Sequence, residues 1–278
     1  MEHIGVEHLL QNYAYFLIDA FGVLIHAQGA VPGAAAFVDA LHASGKPYRI
    51  LSNDASRLPS ALSHRLQTAG LDIPAERIVT SGMLIDAYLR AHRLNGARCV
   101  VLGPDDSSRY VAAAGGVVVS AQSDFEMLVI CDEAGFPFLE TLDLIISRLY
   151  RKLDQKETVH LLLPNPDLIF TKSEHLYAFT SGSIAVLIEA ALDLRYAPHH
   201  RYRFVRLGKP HDAIFQMGLQ QSGARPAVMI GDQLQTDIRG ANDAGIDSAL
   251  VLTGVTKAVR DDTPVQLCPR YILPSLAP

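Results

Sequence analysis

Four short polar segments stand out because each one follows a run of apolar residues. Their members are Asp19, Ser52 with Asn53, Lys209 and Asp232. Transfer of a phosphoryl group requires an oxygen nucleophile, positive charge beside its equatorial oxygens and hydrogen-bond donors that fix its orientation. Two carboxylates, a hydroxyl, an amide and an amine supply these functions. We therefore expect the four segments to converge on one phosphate-binding site.

Each of these side chains has a predicted part in such a site. Asp19 is the expected nucleophile, which would form an aspartyl-phosphate. Asp19 and Asp232 offer the hard carboxylate oxygens that Mg²⁺ prefers. Lys209 would supply positive charge, and Ser52 with the neighbouring N–H groups would donate to the phosphate. Asp237 is expected either to hold a water on the metal or to support Lys209.

Structural roles explain the same residues when they are taken one at a time. Asp19 suits a turn or a helix cap, Ser52 suits an N-cap, and Lys209 suits a solvated loop. Asp232 and Asp237 could both cap the helix that follows them. These alternatives stay open for each residue alone, whereas the order of all four segments along the chain favours a shared site.

The elements that would position these residues alternate between β-rich runs and helical stretches. Strand candidates lie at residues 15–19, 48–51, 204–207, 227–230 and 249–252. This alternation is typical of a parallel sheet with crossover helices, in which ligands bind at the carboxyl ends of the strands. We predict an α/β fold with a doubly wound, Rossmann-like parallel sheet.

Residues 82–200 form a second mixed α/β segment, whose strand candidates end without comparable polar residues. These candidates lie at 98–102, 127–130 and 160–163, and residues 140–152 alternate as an amphipathic helix. We therefore predict a discontinuous catalytic domain at residues 1–81 and 201–278, with an inserted α/β cap at 82–200. Substrate selection is expected to fall to the cap, in which Pro164–Pro166 is the clearest irregular segment.

Composition excludes several classes of protein. The 278 residues include 24 Lys and Arg against 29 Asp and Glu, and this balance argues against nucleic acid or an anionic membrane as the main partner. No apolar run approaches the roughly 18 residues that span a bilayer. Three scattered cysteines argue against a disulfide framework and favour a cytoplasmic location. The expected partner is a small phosphorylated substrate, with a homodimer as a further option.

With their immediate neighbours, the four segments resemble the ordered motifs of the haloacid dehalogenase-like hydrolase superfamily. The matching stretches are Asp19–Val23, Ser52-Asn53, Gly208–Pro210 and Gly231–Asp237. Their order, and the residues of the fourth stretch, resemble the class IIA branch, which includes sugar-phosphate and nitrophenyl-phosphate phosphatases and carries an α/β cap between the second and third motifs. The resemblance implies a Mg²⁺-dependent phosphatase that acts on a sugar phosphate or nucleotide-like metabolite through an aspartyl-phosphate.

Phe21 departs from the family pattern, because the residue two after the nucleophile is usually an aspartate that protonates the leaving oxygen. Its main-chain carbonyl remains, so the resemblance implies Mg²⁺ ligation by Asp19, Phe21 and Asp232. Losing a positioned acid typically costs about 10²–10⁴-fold in rate. We expect weak activity, least impaired on aryl and acyl phosphates. His26 is the nearest substitute for the missing acid, unless it is a solvated loop histidine.

Two other functions stay open because of Phe21. A protein that binds or senses a phosphorylated ligand without turnover would use Mg²⁺ and Lys209 to hold that ligand. A phosphotransferase would pass the phosphoryl group from Asp19 to an acceptor other than water. An acid-stable, hydroxylamine-sensitive phosphoprotein would separate an enzyme from a binding protein.

Overall fold

Parallel strand pairing organises the protein, as a computed structural model shows for residues 1–173, 176–220 and 226–277. Within these residues, a seven-stranded sheet and a five-stranded sheet are accompanied by two short antiparallel pairs. Every strand pair in the two large sheets is parallel. The predicted α/β fold is confirmed.

The strands of the described residues are β1 Glu2–His3, β2 Tyr15–Ile18, β3 Ile25–His26, β4 Gly29–Ala30, β5 Tyr48–Ser52, β6 Ile78–Thr80, β7 Arg98–Leu102, β8 Val117–Val118, β9 Met127–Ile130, β10 His160–Leu163, β11 Ile169–Ser173, β12 Leu176–Phe179, β13 Val205–Arg206, β14 Ala227–Gly231, β15 Asp247–Val251 and β16 Tyr271–Leu273. The α-helices are α1 Val6–Asn12, α2 Ala34–Ala43, α3 Pro59–Thr68, α4 Leu84–Ala91, α5 Asp105–Ala113, α6 Phe138–Asp154, α7 Ser181–Tyr196, α8 Asp212–Leu219 and α9 Arg239–Asp243. No helix of the described ranges is both long and apolar enough to cross a bilayer.

The seven-stranded sheet, which we call the core sheet, has the order β1-β16-β15-β14-β2-β5-β6. Within it, strand β2 lies between β14 and β5, and Ile18 is opposite Ile230 on one side and Ile50 on the other. Because all three strands run in the same direction, the residues that follow them reach the same edge of the sheet.

The five-stranded sheet has the order β13-β10-β9-β7-β8. We call residues 98–206, which this second sheet spans, the inserted unit. The strand that we predicted near 204–207 and assigned to the catalytic domain is in fact an edge of this sheet, where Val205 is opposite Leu162 and Arg206 opposite Leu163. The boundary at 200/201 therefore does not coincide with the end of the second sheet.

The hydrophobic core runs continuously between the two sheets. Phe16 and Ile18 of β2 face one side of the core sheet, where helices α2 and α3 also pack. Leu17 faces the other side, in a cluster that also contains Met127 and Val129 of the second sheet. Burial on both faces is typical of parallel sheets and explains the uninterrupted apolar runs of their strands.

The helix that we expected to follow both Asp232 and Asp237 begins between them, at Leu234. A π-helical turn, Leu234–Ile238, leads directly into α9. In a π-helical turn, each N–H binds the carbonyl five residues earlier, so the turn is wider than that of an α-helix. Such turns are frequent at functional sites. The wide turn contains Asp237, whose side chain points back to the end of β14.

Candidate active site

Three carboxylates meet at the carboxyl edge of the core sheet. Asp19, Asp232 and Asp237 each place an oxygen within 4.8 Å of the other two. Asp19 directly follows β2 and Asp232 directly follows the neighbouring strand β14, and the Asp19 N–H donates to the Ile230 carbonyl at 2.9 Å. All three are nearly inaccessible to solvent. Parallel pairing therefore brings together the two strand-end carboxylates that the sequence predicted.

Lys209 lies between two of these carboxylates. Its Nζ donates to Asp19 Oδ1 and lies 2.7 Å from Asp237 Oδ1. This contact agrees with the predicted support of Lys209 by Asp237, whose Oδ2 also accepts the main-chain N–H groups of Asp232 and Gln233. Contrary to our expectation, Lys209 follows no strand of the core sheet, because β13, the strand before it, belongs to the second sheet.

Burial and charge shift the titration of this cluster. Burial raises the pKa of Asp19 to about 7, although the Lys209 ammonium opposes that shift. Burial also raises the pKa of Asp232, and the charges of Asp19 and Asp237 raise it further. For Lys209, burial alone would lower the pKa, but the surrounding carboxylates raise it above its ordinary value. The lysine is therefore charged at neutral pH.

The cluster has the properties of a site for a divalent cation. Asp232 Oδ1 is buried and has no hydrogen-bond partner among the described residues, whereas Oδ2 accepts the Val255 N–H at 2.6 Å. Three carboxylates share one lysine, which leaves an excess of negative charge. Gly22 and Gly254 provide space beside them, because a Cβ would lie 2.4 Å or 1.8 Å, respectively, from Asp232 Oδ2. Hard oxygen donors in this arrangement fit Mg²⁺.

A cavity of about 390 Å³ opens onto this cluster. We call Asp19, Lys209, Asp232 and Asp237 the floor. Asp19 and Asp232 line the cavity, and Lys209 and Asp237 lie behind them in direct contact with the pair. The inserted unit contributes a wall, which we define as Asp132, Glu133, Asn165, Asp167 and Lys172. The cavity therefore lies between the carboxyl edges of the two sheets.

The wall corrects our expectation that the strands of the middle segment end without polar residues. Asp132 and Glu133 come directly after the Cys131 that follows β9, and Asn165 and Asp167 follow β10. Sequence reasoning noted the irregular segment around Asn165 in the cap but missed Asp132 and Glu133, although this pair also lies just beyond a predicted strand. Burial raises the pKa of Asp132 and that of Glu133.

Ser52 and Asn53, both predicted phosphate ligands, differ in what they can offer. Ser52 is the last residue of β5 and lines the cavity, and its Oγ accepts the Asp54 N–H at 3.2 Å. The Asn53 side chain is already occupied, because Oδ1 accepts the Lys209 N–H at 2.7 Å and Nδ2 donates to the Lys209 carbonyl and to Asp167 Oδ1. The predicted phosphate contact therefore does not fit the Asn53 side chain.

Phe21 lines the cavity, and the guanidinium carbon of Arg65 lies 5.0 Å from its ring centroid. The predicted substitute for the missing acid, His26, lines a neighbouring cavity together with Gln28 and Arg65. Burial lowers the pKa of His26, so that it is mostly neutral near pH 7. The structure thus does not bring this histidine to the nucleophile.

Two family models match the chain at the segments that build the floor. The model described as haloacid dehalogenase-like hydrolase matches residues 16–116, and the one described as HAD-hydrolase-like matches residues 206–278. A crystal structure of a possible sugar phosphatase of the HAD superfamily from Cytophaga hutchinsonii is 31% identical, with a TM-score of 0.86, and the alignment covers 100% of this chain and 99% of that one. The chain belongs to the haloacid dehalogenase-like hydrolase superfamily.

One further relative agrees with the predicted enzyme class, and one further solved structure shares the fold. The dihydroxyacetone phosphatase of Corynebacterium glutamicum is 29% identical over 94% of this chain and 89% of its own length. The glycerol phosphate phosphatase of Mycobacterium tuberculosis, solved in complex with magnesium, is 24% identical with a TM-score of 0.78, covering 99% of this chain and 78% of that one. The prediction of a phosphatase of this superfamily is confirmed.

Proposed function

We propose that the protein is a Mg²⁺-dependent phosphatase that hydrolyses a small phosphorylated metabolite through an aspartyl-phosphate on Asp19. The observation that carries this proposal is the buried cluster of Asp19, Lys209, Asp232 and Asp237 beneath a cavity of about 390 Å³. A phosphate monoester of a sugar or a three-carbon compound fits a cavity of this size, which small-molecule sites commonly have.

In the first chemical step, a carboxylate oxygen of Asp19 forms a bond to phosphorus while the bond from phosphorus to the alcohol oxygen breaks. Lys209 holds the carboxylate of Asp19 in place, because its ammonium contacts both Asp19 and Asp237. In the second step, water attacks the phosphorus of the aspartyl-phosphate, inorganic phosphate leaves and the Asp19 carboxylate is restored.

A divalent cation would be held by the carboxylates of Asp19 and Asp232, with the Phe21 carbonyl as the third predicted ligand. When bound, it supplies positive charge that neutralises the phosphoryl oxygens. The Ser52 hydroxyl, which lines the same cavity, is the donor that we assign to a phosphoryl oxygen. Together, these four residues would hold the cation and orient the phosphoryl group.

The leaving alcohol gains no proton from position 21, because Phe21 carries no exchangeable proton. The leaving oxygen therefore departs as an anion or takes its proton from solvent. Aryl and acyl phosphates tolerate this loss because their leaving groups are stable anions, whereas alkyl phosphates do not. The proposed enzyme is therefore faster on p-nitrophenyl phosphate than on glycerol phosphate.

The same residue favours a second candidate function, a protein that binds a phosphorylated ligand without turnover. Such a protein would retain the Lys209 charge of the floor, together with the Ser52 hydroxyl and the predicted metal ligands that line the cavity. It would need no proton donor at position 21, and the side chain of Phe21 provides none. The two functions differ in whether Asp19 becomes phosphorylated.

Hydrolysis of p-nitrophenyl phosphate, dihydroxyacetone phosphate, glycerol phosphate and ribonucleotide monophosphates with Mg²⁺ or with EDTA tests the proposal. We expect hydrolysis of at least the aryl phosphate, its loss with EDTA, and an acid-stable, hydroxylamine-sensitive phosphoprotein. The Asp19→Asn variant should show neither hydrolysis nor the phosphoprotein. Ligand-dependent thermal stabilisation of the wild type without hydrolysis or phosphoprotein would favour the binding function instead.

A further inference from the structure

We propose that Asp167 of the inserted unit is a positioning residue for Lys209. It fixes the side-chain amide of Asn53, and that amide holds the main chain of Lys209. This inference rests on the proposed function, because it assigns to Lys209 a part in the phosphatase reaction. The geometry that carries it is a chain of hydrogen bonds from the wall to the floor.

The Asn53 amide has one oxygen and two N–H groups, and all of them are engaged. Its Oδ1 accepts the Lys209 N–H at 2.7 Å. Its Nδ2 donates to the Lys209 carbonyl at 3.1 Å and to Asp167 Oδ1 at 2.9 Å. Asn53 is buried, so no solvent molecule replaces these partners without a rearrangement.

Asp167 and the Lys209 main chain together determine which way this amide points. In the reverse orientation, the Asn53 oxygen would face the Asp167 carboxylate, and the Asn53 NH₂ group would face the Lys209 N–H. Both contacts would then be unfavourable, since acceptor would meet acceptor and donor would meet donor. An ionised carboxylate at position 167 can only accept, and therefore it reinforces the orientation in which the oxygen of Asn53 binds the main-chain N–H of Lys209.

Asp167 itself is held firmly by its own neighbours. Its N–H donates to Asn165 Oδ1 at 3.0 Å, and its carbonyl accepts the Gly182 N–H at the start of α7, also at 3.0 Å. Gly182 packs so closely that a Cβ there would lie 2.4 Å from the Asp167 carbonyl oxygen. The carboxylate is therefore presented by a rigid part of the inserted unit.

The segment before Lys209 packs against the same amide. The Gly208 N–H donates to the Pro164 carbonyl at 2.9 Å, and a Cβ on Gly208 would lie 2.4 Å from Asn53 Oδ1. A shift of the Asn53 side chain is therefore transmitted to the Lys209 main chain. The Lys209 ammonium would move away from Asp19 as a result.

Asp167 also lines the cavity, so a direct contact with substrate is the competing explanation. The two explanations predict different kinetics. If Asp167 bound the substrate directly, its removal would change KM to an extent that depends on the substrate. The separate effects of removing Asp167 and Asn53 would then multiply in the double variant. A positioning residue changes kcat equally for different substrates, and its loss does not multiply with that of Asn53, because both act through Lys209.

The test measures kcat and KM with Mg²⁺ for p-nitrophenyl phosphate and dihydroxyacetone phosphate in Asp167→Ala, Asn53→Ala and the double variant. We expect Asp167→Ala to lower kcat by about 10- to 100-fold on both substrates, with KM little changed. The double variant should be no slower than the slower single variant. Asp167→Asn should recover most of kcat, because its carbonyl oxygen accepts the same hydrogen bond. Asp193→Ala, in the same unit but paired with Arg203 at the surface, is the matched control.

A wild-type kcat in Asp167→Ala, multiplied losses in the double variant, or a loss confined to KM on one substrate would each overturn the inference. Asp167→Asn as slow as Asp167→Ala would overturn it too. If the wild type hydrolyses no phosphate ester, the proposed function fails and NMR of the ¹⁵N-labelled protein decides separately. The Asn53 side-chain amide signals, assigned with Asn53→Ser, should then shift in Asp167→Ala and stay in place in Asp193→Ala.

Discussion

The floor and the wall of the cavity both contain carboxylates and a lysine, but they hold these charges in different ways. On the floor, Lys209 and Asp237 are at most 3% exposed at their side chains and contact each other directly. On the wall, Asp132 and Glu133 are half-buried and Lys172 is exposed. Charges that are sealed from water interact strongly and stay in one geometry, whereas charges beside water are screened and adjust to a ligand.

This difference separates two tasks within one cavity. A reaction that always occurs at the same phosphoryl group requires fixed charges, which the floor provides. Discrimination among the remainders of different substrates requires groups that retain some contact with solvent, which the wall provides. Substitutions on the floor should therefore change kcat and stability, and those at the half-buried wall residues Asp132 and Glu133 should change KM. Asp167 is the exception on the wall, because its hydrogen bond to Asn53 connects it to Lys209.

The largest effect is expected for Lys209→Met. Removal of this ammonium leaves three buried carboxylates without a counter-ion, which should lower the free energy of unfolding by about 3–5 kcal/mol. Activity on p-nitrophenyl phosphate should fall at least about 10³-fold, because charge stabilisation of this kind supplies that much of the rate. Chemical denaturation and steady-state kinetics measure the two quantities.

Lys152→Met is the matched control for that substitution. Lys152 also contacts two carboxylates at 2.6 Å, Asp124 and Glu157, but the side chains of these partners are 52% and 45% exposed. Its loss should cost about 1 kcal/mol or less and leave kcat unchanged. An equal loss of unfolding free energy in Lys209→Met and Lys152→Met would contradict the distinction between buried charges and charges that water screens.

The next largest effect is expected for Phe21→Asp, at the border between floor and wall. A carboxyl group at this position can donate a proton to the leaving oxygen, so turnover of glycerol phosphate should rise by about 10² -fold. Arg65 lies over the present ring and would hold the pKa of the new carboxyl down, so the gain should be larger at acid pH. Phe21→Asn, which has the same shape without an acid, should show no gain. An unchanged rate in a folded Phe21→Asp variant would refute this account of position 21.

A third prediction concerns the dependence of metal binding on pH. Burial raises the pKa of Asp19 to about 7, so a cation must displace a proton from the floor below that pH. The affinity for Mg²⁺ should therefore be about 30-fold weaker at about pH 5.5 than above about pH 7, since one displaced proton changes affinity tenfold per pH unit. Titration calorimetry at the two pH values measures this ratio.

Stability without metal should show the opposite trend. The folded protein holds the Asp19 proton more tightly than the unfolded chain, in which an aspartate titrates near about pH 4. The free energy of unfolding in EDTA should therefore fall as the pH rises from about 4 to about 7. Asp19→Asn should flatten this slope, and an unaltered slope in that variant would assign it to other groups.

The smallest effect is expected on the wall, for Glu133→Gln. Its half-buried carboxylate is available to accept a hydrogen bond from a substrate hydroxyl, and one such bond corresponds to a change of about 3- to 10-fold in KM. We expect KM for dihydroxyacetone phosphate to rise by this factor while kcat stays within about threefold. Glu140→Gln, on the exposed first turn of α6, should alter neither constant. A fall in kcat with KM unchanged would contradict this prediction and would indicate that Glu133 acts as the floor residues do.

Much of the site was predictable because β2 and β14 are apolar runs followed by an aspartate, and because β5 is a mostly apolar run that ends in Ser52. Parallel neighbours end at one edge, so Asp19, Ser52 and Asp232 were expected to meet there. The position of Lys209 was predicted through its motif but not through its strand, because β13 is only two residues long and pairs with the second sheet. Local propensity does not determine which sheet so short a strand joins.

The wall was not predictable from the same pattern, although its residues also follow strands. Asp132 and Asp167 reach the site only because the second sheet faces the core sheet across the cavity. That arrangement depends on packing between the sheets, to which Met127 and Val129 contribute. An apolar run shows that a strand is buried on both faces but does not name the partner on either face.

The edge position of β13 has a mechanical consequence. Arg206 is the last residue of that strand, and Lys209 follows only three residues later. Because so few residues connect the two, a tilt of the second sheet would also move the Lys209 ammonium. The contact between this ammonium and Asp19 therefore depends on the second sheet as well as on the core sheet.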